Sequence, residues 1–120
     1  MIEVEHVDFI GIPTRDVARA KRFYGETLGL PLERDTPAGA EFRAGQVTVG
    51  IWNPESQGIL FQPNPNGFAL RVGDVHAAQA ELEAAGVEFD MPVFDTGVCH
   101  MAIFRDPDGN QLILHRRYAP

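Results

Sequence analysis

The chain contains one structural unit written twice, and this repeat constrains its fold more than any other feature. Residues 9–30 (FIGIPTRDVARAKRFYGETLGL) and residues 67–89 (GFALRVGDVHAAQAELEAAGVEF) each predict a short strand, a turn and an amphipathic helix. The Asp-Val pairs that begin at Asp16 and Asp74 lie 58 positions apart, at the start of each predicted helix. The sequence therefore predicts two copies of the same supersecondary unit.

Both predicted helices carry signals at their ends. Thr14 or Asp16 is expected to cap the first helix and Asp74 the second, because their side-chain oxygens can accept hydrogen bonds from free backbone N–H groups. Gly29 and Gly86 follow the helices and are expected to adopt the left-handed conformation that ends them. Apolar residues at helical spacing predict the two buried faces: Val17, Ala20, Phe23, Tyr24 and Leu28 in the first helix, and Val75, Ala78, Leu82 and Ala85 in the second.

Three further strands are predicted after each helix, so each half is a βαβββ unit. The strand sequences are LPLERD, AEFRAG and VTVGIW in the first half, and VEFDMPVF, CHMAIF and QLILHRR in the second. We interpret residues 1–120 as a single domain, with repeat one at about 4–52, a linker at about 53–66 and repeat two at about 67–117. One such unit cannot cover both faces of its own sheet. The predicted fold class is therefore α+β: two tandem βαβββ repeats form a curved, partly closed mixed sheet with a cavity, and the helices lie on its outer face.

The stretch FRDPDGNQLILHRR, residues 104–117, predicts a β-hairpin with a five-residue loop. Pro107 presets a turn conformation, while Gly109 and Asn110 tolerate positive φ. Aspartates in such loops usually accept hydrogen bonds from their own backbone. We therefore interpret Asp106 and Asp108 as part of the loop architecture and not as metal ligands.

The length of this loop also predicts which residues are paired across the hairpin. Met101 should lie opposite His115, and Ile103 opposite Ile113. Because side chains alternate between the two faces of a strand, these four residues should share one face.

Composition excludes several classes of partner. The formal net charge is −7 and the sequence pI is near 4.9, so nucleic acid and anionic membrane surfaces would be repelled. No apolar run reaches the roughly 18 residues that a membrane span needs. The single cysteine, Cys99, cannot form an internal disulfide, which favours a reducing, cytoplasmic location.

The two repeat segments, together with FRDPDGNQLILH, resemble the vicinal oxygen chelate superfamily. This group includes glyoxalase I, extradiol dioxygenases, fosfomycin-modifying enzymes and bleomycin-binding proteins. The resemblance covers nearly the whole chain and implies the same two-repeat fold. It also implies two classes of function, namely small-molecule binding and enzymatic catalysis.

The resemblance also implies where a metal ion would be bound, and those positions lack ligands. Metal-using members carry a histidine seven residues before the helix-opening Asp, where this chain has Phe9 and Gly67. They carry a glutamate three residues after the Asn of the hairpin loop, where this chain has Ile113. In the corresponding strand of the first half, Thr48 is the only polar candidate. Since these side chains cannot supply the donors that a divalent ion needs, we predict no metal and no cofactor.

An apolar ligand cavity is the main prediction for the site. The residues expected to line it are Phe9, Phe42, Trp52, Phe68, Met101, Ile103, Ile113 and His115. An unknown small molecule, apolar or cationic, is the expected partner, because the acidic charge of the chain would attract a cation. Each of these side chains could equally well fill the interior of the sheet.

The remaining titratable residues leave alternatives open. Three roles are open for His115: it binds the ligand, it belongs to a non-standard metal site, or it simply marks the wet end of the last strand. A shift in strand register could make His6 a metal ligand, with Asp8 as its companion. His76 is expected to be exposed on the second helix, and Cys99 to be a small buried apolar residue.

Three functions follow in order of preference. The first is a small-molecule-binding protein of the glyoxalase/bleomycin resistance type without the usual metal. The second is a lyase, isomerase or dioxygenase with a displaced site around His100 and His115, for which Glu41, His100 and His115 are the candidate catalytic residues. The third is a dimeric accessory domain without a ligand.

We predict that the protein is a two-fold homodimer. Two repeats leave sheet edges unpaired, and the apolar linker segment GILF offers a contact for a second copy. Light scattering coupled to size-exclusion chromatography at micromolar concentration should give the mass of a dimer. A monomer mass under these conditions would contradict the prediction.

Overall fold

A computed structural model describes all 120 residues, which form two compact units, Met1–Phe61 and Gln62–Pro120. The first unit contains β1 (Phe9–Pro13), α1 (Val17–Arg22) with a π-helical turn (Phe23–Thr27), β2 (Leu32–Thr36), β3 (Gly39–Ala44), β4 (Val47–Trp52) and a 3₁₀ turn (Pro54–Gln57). The second unit contains β5 (Phe68–Arg71), α2 (Val75–Ala84), β6 (Phe89–Asp95), β7 (Cys99–Arg105) and β8 (Gln111–Arg117). The predicted βαβββ order is thus confirmed in both halves.

Each unit has one open, mixed, four-stranded sheet, and the two sheets have the same topology. The strand orders are β1-β4-β3-β2 and β5-β8-β7-β6. The first strand of each unit runs parallel to the last, and the other neighbours are antiparallel. Such a parallel pair needs a long crossover, which the helix and the intervening strands provide. The α+β fold class is confirmed.

The helix signals in the sequence act as predicted. Asp16 and Asp74 are the N-caps and accept hydrogen bonds from the backbone N–H groups of Arg19 and Ala77, each at 3.0 Å. Thr14 lies in the turn before α1, where its hydroxyl accepts a hydrogen bond from the N–H of Asp16. The left-handed conformation expected after each helix is present at Gly29 (φ 75°) and Gly86 (φ 92°).

The first helix differs from the prediction at its C-terminal end. The α-helix ends at Arg22 and continues as a wider turn, in which the N–H of Leu28 donates to the carbonyl of Phe23 at 2.9 Å. In this wider turn the consecutive residues Phe23 and Tyr24 are both buried, with their rings edge to face at 5.3 Å. The wider turn thus allows two consecutive aromatic side chains to pack in the core.

One face of each sheet packs against the helix of its own unit. In the first unit, Phe42 on β3 lies against Tyr24, with ring centroids 6.4 Å apart, and both are buried. In the second unit, α2 packs on β6, β7 and β8. The fully or almost fully buried strand residues define these helix-facing sides: Ile12, Ala40, Phe42, Val49 and Ile51 in the first sheet, and Ala102, Phe104, Leu112 and Leu114 in the second. Because side chains alternate, the residues between them lie on the opposite, helix-free faces.

The hairpin formed by β7 and β8 has the predicted register. Met101 pairs with His115 and Ile103 with Ile113, and Arg105 and Gln111 close the ladder at the loop. The register that the loop length implies is therefore confirmed.

Two buried side chains, Asp106 and Asn110, hold the hairpin loop. The Asp106 carboxylate accepts hydrogen bonds from the backbone N–H groups of Asp108 and Asn110 and from the side-chain amide of Asn110, all at 2.8–2.9 Å. The Asn110 side-chain oxygen accepts a hydrogen bond from the N–H of Asn64, 46 positions away, at 2.8 Å. The prediction that an aspartate holds the loop through the loop's own backbone is therefore confirmed for Asp106.

The linker segment divides into exposed and buried parts. Phe61 is buried, and the guanidinium of Arg15 lies 4.6 Å from the centre of its ring. Ile59 and Leu60 remain exposed, at 51% and 72%. Neither α1 nor α2 has the length and apolar composition that a membrane-spanning helix needs.

We expect Asn110→Ala to lower the free energy of unfolding by about 2–3 kcal/mol, because it removes two hydrogen bonds in a buried environment. Urea denaturation would measure the change as a shift of the unfolding midpoint. Asn66→Ala, which truncates an exposed amide in the same unit, is the control and should change stability by less than about 0.5 kcal/mol. Equal midpoints for the two variants would show that the loop network does not stabilise the fold.

Candidate functional site

Two glycines lie side by side on the helix-free face of the first sheet. Gly11 of β1 pairs with Gly50 of β4, and Glu41 of β3 lies next to Gly50, so that the three residues form one row across three strands. A glycine inside a strand often marks a place where another group approaches the backbone closely. The approaching groups here are aromatic side chains.

Phe9 and Trp52 cover the two glycines from either side along the strands. The Phe9 ring comes within 3.8 Å of the place where a Cβ atom would lie at Gly50 and within 3.9 Å of that place at Gly11. The Trp52 indole nitrogen comes within 3.6 Å of that place at Gly11. Phe9 is nevertheless 64% exposed and Trp52 38% exposed. The helix-free face of the first sheet therefore presents an aromatic pair, Phe9 and Trp52, to its surroundings.

The helix-free face of the second sheet is apolar with a basic end. Met101, Ile103, Ile113 and His115 share this face and are all half-buried, as their pairing requires. Arg71 of β5 lies opposite His115 and is exposed. Thus six of the eight predicted cavity residues lie on helix-free faces, two in the first sheet and four in the second.

Phe42 and Phe68 do not share this placement. Phe42 is 2% exposed and packs on Tyr24, so it belongs to the core of the first unit. Phe68 pairs with Leu112, whose side chain is buried on the helix-facing side of the second sheet. The reason is strand parity, since a shift of one residue moves a side chain to the other face. The prediction that Phe42 and Phe68 line the cavity is therefore corrected, because both side chains lie on the helix-facing sides of their sheets.

The candidate catalytic residues do not converge within the second unit. His100 lies opposite Arg116, one position out of phase with the Met101–His115 pair, so His100 and His115 are on opposite faces of the hairpin. The His100 ring lies 5.7 Å from that of His76 on α2. A displaced active site that uses both His100 and His115 is therefore not assembled. Glu41, the third candidate, belongs to the first unit and lies beside the aromatic pair.

His100 belongs to a polar cluster at the end of the last two strands. Its Nε2 atom is 3.4 Å from an Asp95 carboxylate oxygen, and its ring centroid is 4.9 Å from that of Tyr118. The Tyr118 hydroxyl donates to the other Asp95 oxygen at 2.8 Å. A hydrogen bond from the backbone of Gly97 and the one from Tyr118 lower the pKa of Asp95, and the bond to Asp95 raises the pKa of Tyr118. The cluster ties the C-terminal segment to β6.

The other titratable candidates are placed as follows. His6 Nε2 lies 2.9 Å from the Asp8 carboxylate, so the pair suggested by the sequence does form. Both side chains are highly exposed and precede β1. His76 is exposed and Cys99 is buried, as expected.

The residues at the metal positions implied by the resemblance do not fit a metal ion. Phe9 is paired with Thr48 of β4, and Gly67, which directly precedes β5, lies next to Gln111 of β8. By the same registers Gly50 is the counterpart of Ile113. No donor atom is present in the side chains of Phe9, Gly67, Gly50 or Ile113. At Gly67 a Cβ atom would lie 2.3 Å from the carbonyl oxygen of Gln111, so no side chain fits there without a shift of the backbone. No three His, Cys, Asp or Glu side chains come together in an arrangement that could hold a metal.

Sequence reasoning missed two features of this region. One is that Gly11 and Gly50 are neighbours, for which the only signal was the presence of glycine inside predicted strands. The other is that Trp52 is the counterpart of His115 in the repeat, because Gly50 and Ile113 are equivalent. Of the aromatic pair, Phe9 thus occupies a position that the resemblance assigns to a metal ligand, and Trp52 lies two residues beyond Gly50, the counterpart of Ile113.

A two-repeat βαβββ protein with helix-free sheet faces of this kind has known relatives. The family model for the Glyoxalase/Bleomycin resistance protein/Dioxygenase superfamily matches residues 6–114. The chain belongs to this superfamily.

Individual relatives agree with the family assignment. An uncharacterized protein of Mycolicibacterium smegmatis is 29% identical over 110 residues, which cover 91% of each chain. Among solved structures, TnmS3, an antibiotic binding protein from Streptomyces sp. CB03234, is 28% identical with a TM-score of 0.82, over 98% of this chain and 100% of that one. A glyoxalase/bleomycin resistance protein from the same Streptomyces is 30% identical with a TM-score of 0.74, over 92% of this chain and 100% of that one.

We expect Ile113→Glu to be tolerated almost as well as Ile113→Ala. Position 113 is only half-buried, so the carboxylate of the introduced glutamate would stay hydrated. The difference in unfolding free energy should be about 1 kcal/mol or less, measured by urea denaturation. Leu112→Glu is the matched control, since Leu112 precedes Ile113 in β8 and its side chain is fully buried on the other face. It should cost several kcal/mol, as burial of an unpaired carboxylate does. A collapse of Ile113→Glu comparable to that of Leu112→Glu would mean that the helix-free face is packed and dry.

Proposed function

We propose that this protein binds a small molecule with an aromatic or apolar surface and does so without a metal ion. The observation that carries the proposal is the exposed aromatic pair, Phe9 and Trp52, which lies over Gly11 and Gly50. Two of these four positions, Phe9 and Gly50, are places where a metal-using relative would need donor atoms. The local chemistry favours stacking and apolar contact.

The aromatic pair is suited to ligand contact by the way it is supported. Large exposed aromatic side chains would ordinarily pack on neighbouring side chains of the same face, but Gly11 and Gly50 have none. The rings therefore approach the backbone closely, and their other surfaces remain available. Clefts for small molecules are typically lined by aromatic and apolar groups with a few polar groups at the edge. Here Glu41, Arg43 and Thr48 are the adjacent polar residues on the same face.

The comparison with TnmS3 supports the same class of function. TnmS3 is an antibiotic binding protein of 28% identity whose whole chain matches this one. The superfamily description also includes bleomycin resistance proteins. An antibiotic or a similar natural product is therefore the ligand class that we propose. Metal-dependent catalysis is less favoured, since the donor set does not fit an ion.

Two further expectations remain part of this proposal. We propose that the protein acts as a homodimer, which the exposed apolar residues Ile59 and Leu60 support as a contact for a second copy. We also propose a cytoplasmic location, because the only cysteine is buried and unpaired.

Binding can be followed through Trp52, the only tryptophan of the chain. Titration with bleomycin, and with acridine as a flat neutral probe, should change the tryptophan fluorescence with saturation. We expect Phe9→Ala to weaken binding about tenfold, since aromatic stacking contributes roughly 0.5–1.5 kcal/mol beyond the apolar area that is lost. Leu60→Ala, which removes an exposed apolar side chain of the same unit, should leave the affinity unchanged.

Two results would contradict the proposal. One is the absence of any saturable response to either probe. The other is binding that disappears after treatment with EDTA and returns with added zinc, nickel or manganese, because the proposed site has no role for a metal. Equal effects of Phe9→Ala and Leu60→Ala would place the ligand elsewhere on the protein.

A further inference from the structure

We infer that the site at Phe9 and Trp52 selects flat aromatic cations and that Glu41 is the residue that provides the selectivity. This inference rests on the proposed function and names its ligand class. It follows from the row that Glu41, Gly50 and Gly11 form across three adjacent strands. In this row the only side chain is a carboxylate, and the glycines beside it are covered by aromatic rings.

The Glu41 carboxylate is exposed and makes no ion pair or hydrogen bond within the chain. This distinguishes it from the acidic residues nearby. Glu33 is paired with Arg43 at 2.8 Å, and Asp35 is paired with Lys21. Glu41 therefore offers an uncompensated negative charge on the same face as the aromatic pair.

The positive charges around this face do not cancel that of Glu41. Arg43 shares the face, but its guanidinium is held by Glu33. Arg34 lies opposite Glu41 on the edge strand β2 and is exposed, and the two side chains form no ion pair. The chain as a whole carries a formal charge of −7. A cation approaching this face is therefore attracted both locally and at long range.

Phe9 and Trp52 favour the same charge. The face of an aromatic ring carries partial negative charge, so a cation placed over phenylalanine or tryptophan is attracted to it. A flat aromatic cation can stack on the exposed rings while its charge lies towards Glu41. Because Gly50 and Gly11 have no side chains, nothing between the rings and the Glu41 carboxylate prevents this arrangement. A neutral ring system would gain the stacking but not the charge attraction, and an anion would be repelled by Glu41.

The test compares two probes that share one ring system. 9-Aminoacridine is protonated near neutral pH and acridine is neutral. Isothermal titration calorimetry of the intact protein at low salt should show that 9-aminoacridine binds about tenfold more tightly, which is the size expected for one partly screened charge pair. Glu41→Gln should remove this preference by weakening the binding of 9-aminoacridine. Added salt should weaken the preference of the parent protein and have little effect in the variant.

Two further variants complete the design. Glu26→Gln removes the same charge from an exposed position of the same unit and should keep the full preference. Arg34→Gln should increase the preference for the cation, because it removes the positive group opposite Glu41. Circular dichroism of each variant would confirm that it is folded.

The outcomes separate this inference from the proposed function. If both probes bind with equal affinity and Glu41→Gln changes neither, the selectivity is overturned and the binding function stands. If Glu26→Gln reduces the preference as much as Glu41→Gln, the preference for the cation arises from the net charge of the protein. The specific role of Glu41 is then overturned. If neither probe binds, the proposed function fails and this inference fails with it.

Discussion

The buried hydrogen bonds between Asp106 and Asn110 fix the register of the last hairpin, and the second unit depends on that register. One carboxylate satisfies two backbone N–H groups and one side-chain amide, and the same Asn110 side chain binds the backbone of Asn64. A loop of any other length would change which residues of β7 and β8 are opposite each other. Since a slip of one residue exchanges the two faces of a strand, it would bring Ile113 into the core and Leu112 out of it.

The same rule of alternation decides the chemistry of the helix-free faces. In the first sheet it puts Phe9, Gly50 and Trp52 on one side and Phe42 and Val49 on the other. A protein that binds a metal on this side must place several donors within bonding distance of one point. This chain instead places aromatic rings over glycines. The stacking and apolar contacts that such rings offer are less directional than bonds to a metal ion. Under the proposed function, recognition on this face would depend on shape and on the Glu41 carboxylate.

Much of the fold could be predicted because its signals are local. The caps at Asp16 and Asp74, the helix-ending glycines and the five-residue hairpin loop each depend on residues within a few positions of one another. The repeat then extends a prediction made in one half to the other. The family resemblance added the metal positions, and the structure locates them in equivalent places of the two sheets.

The parts of the site that could not be predicted depend on contacts between distant residues. Phe42 and Phe68 were expected in the cavity because the sequence shows alternation but does not show which side the helix covers. The pairing of Gly11 with Gly50 depends on the parallel register of β1 and β4, which are separated by a helix and two strands. The meeting of Asp95 with His100 depends on irregularities in β6, where the register shifts between Met91 and Phe94. No periodicity in the sequence reports such shifts.

The close approach of the Gln111 carbonyl to Gly67 limits which residues can occupy this position. A side chain at this position would require β5 to move away from β8, because its first carbon atom would overlap the carbonyl of Gln111. A histidine at this position therefore requires a shift of the backbone between β5 and β8. A substitution at Gly67 would therefore change the spacing of β5 and β8 before it could add a metal ligand, whereas the exposed aromatic side chains of the first sheet can be exchanged without such a shift.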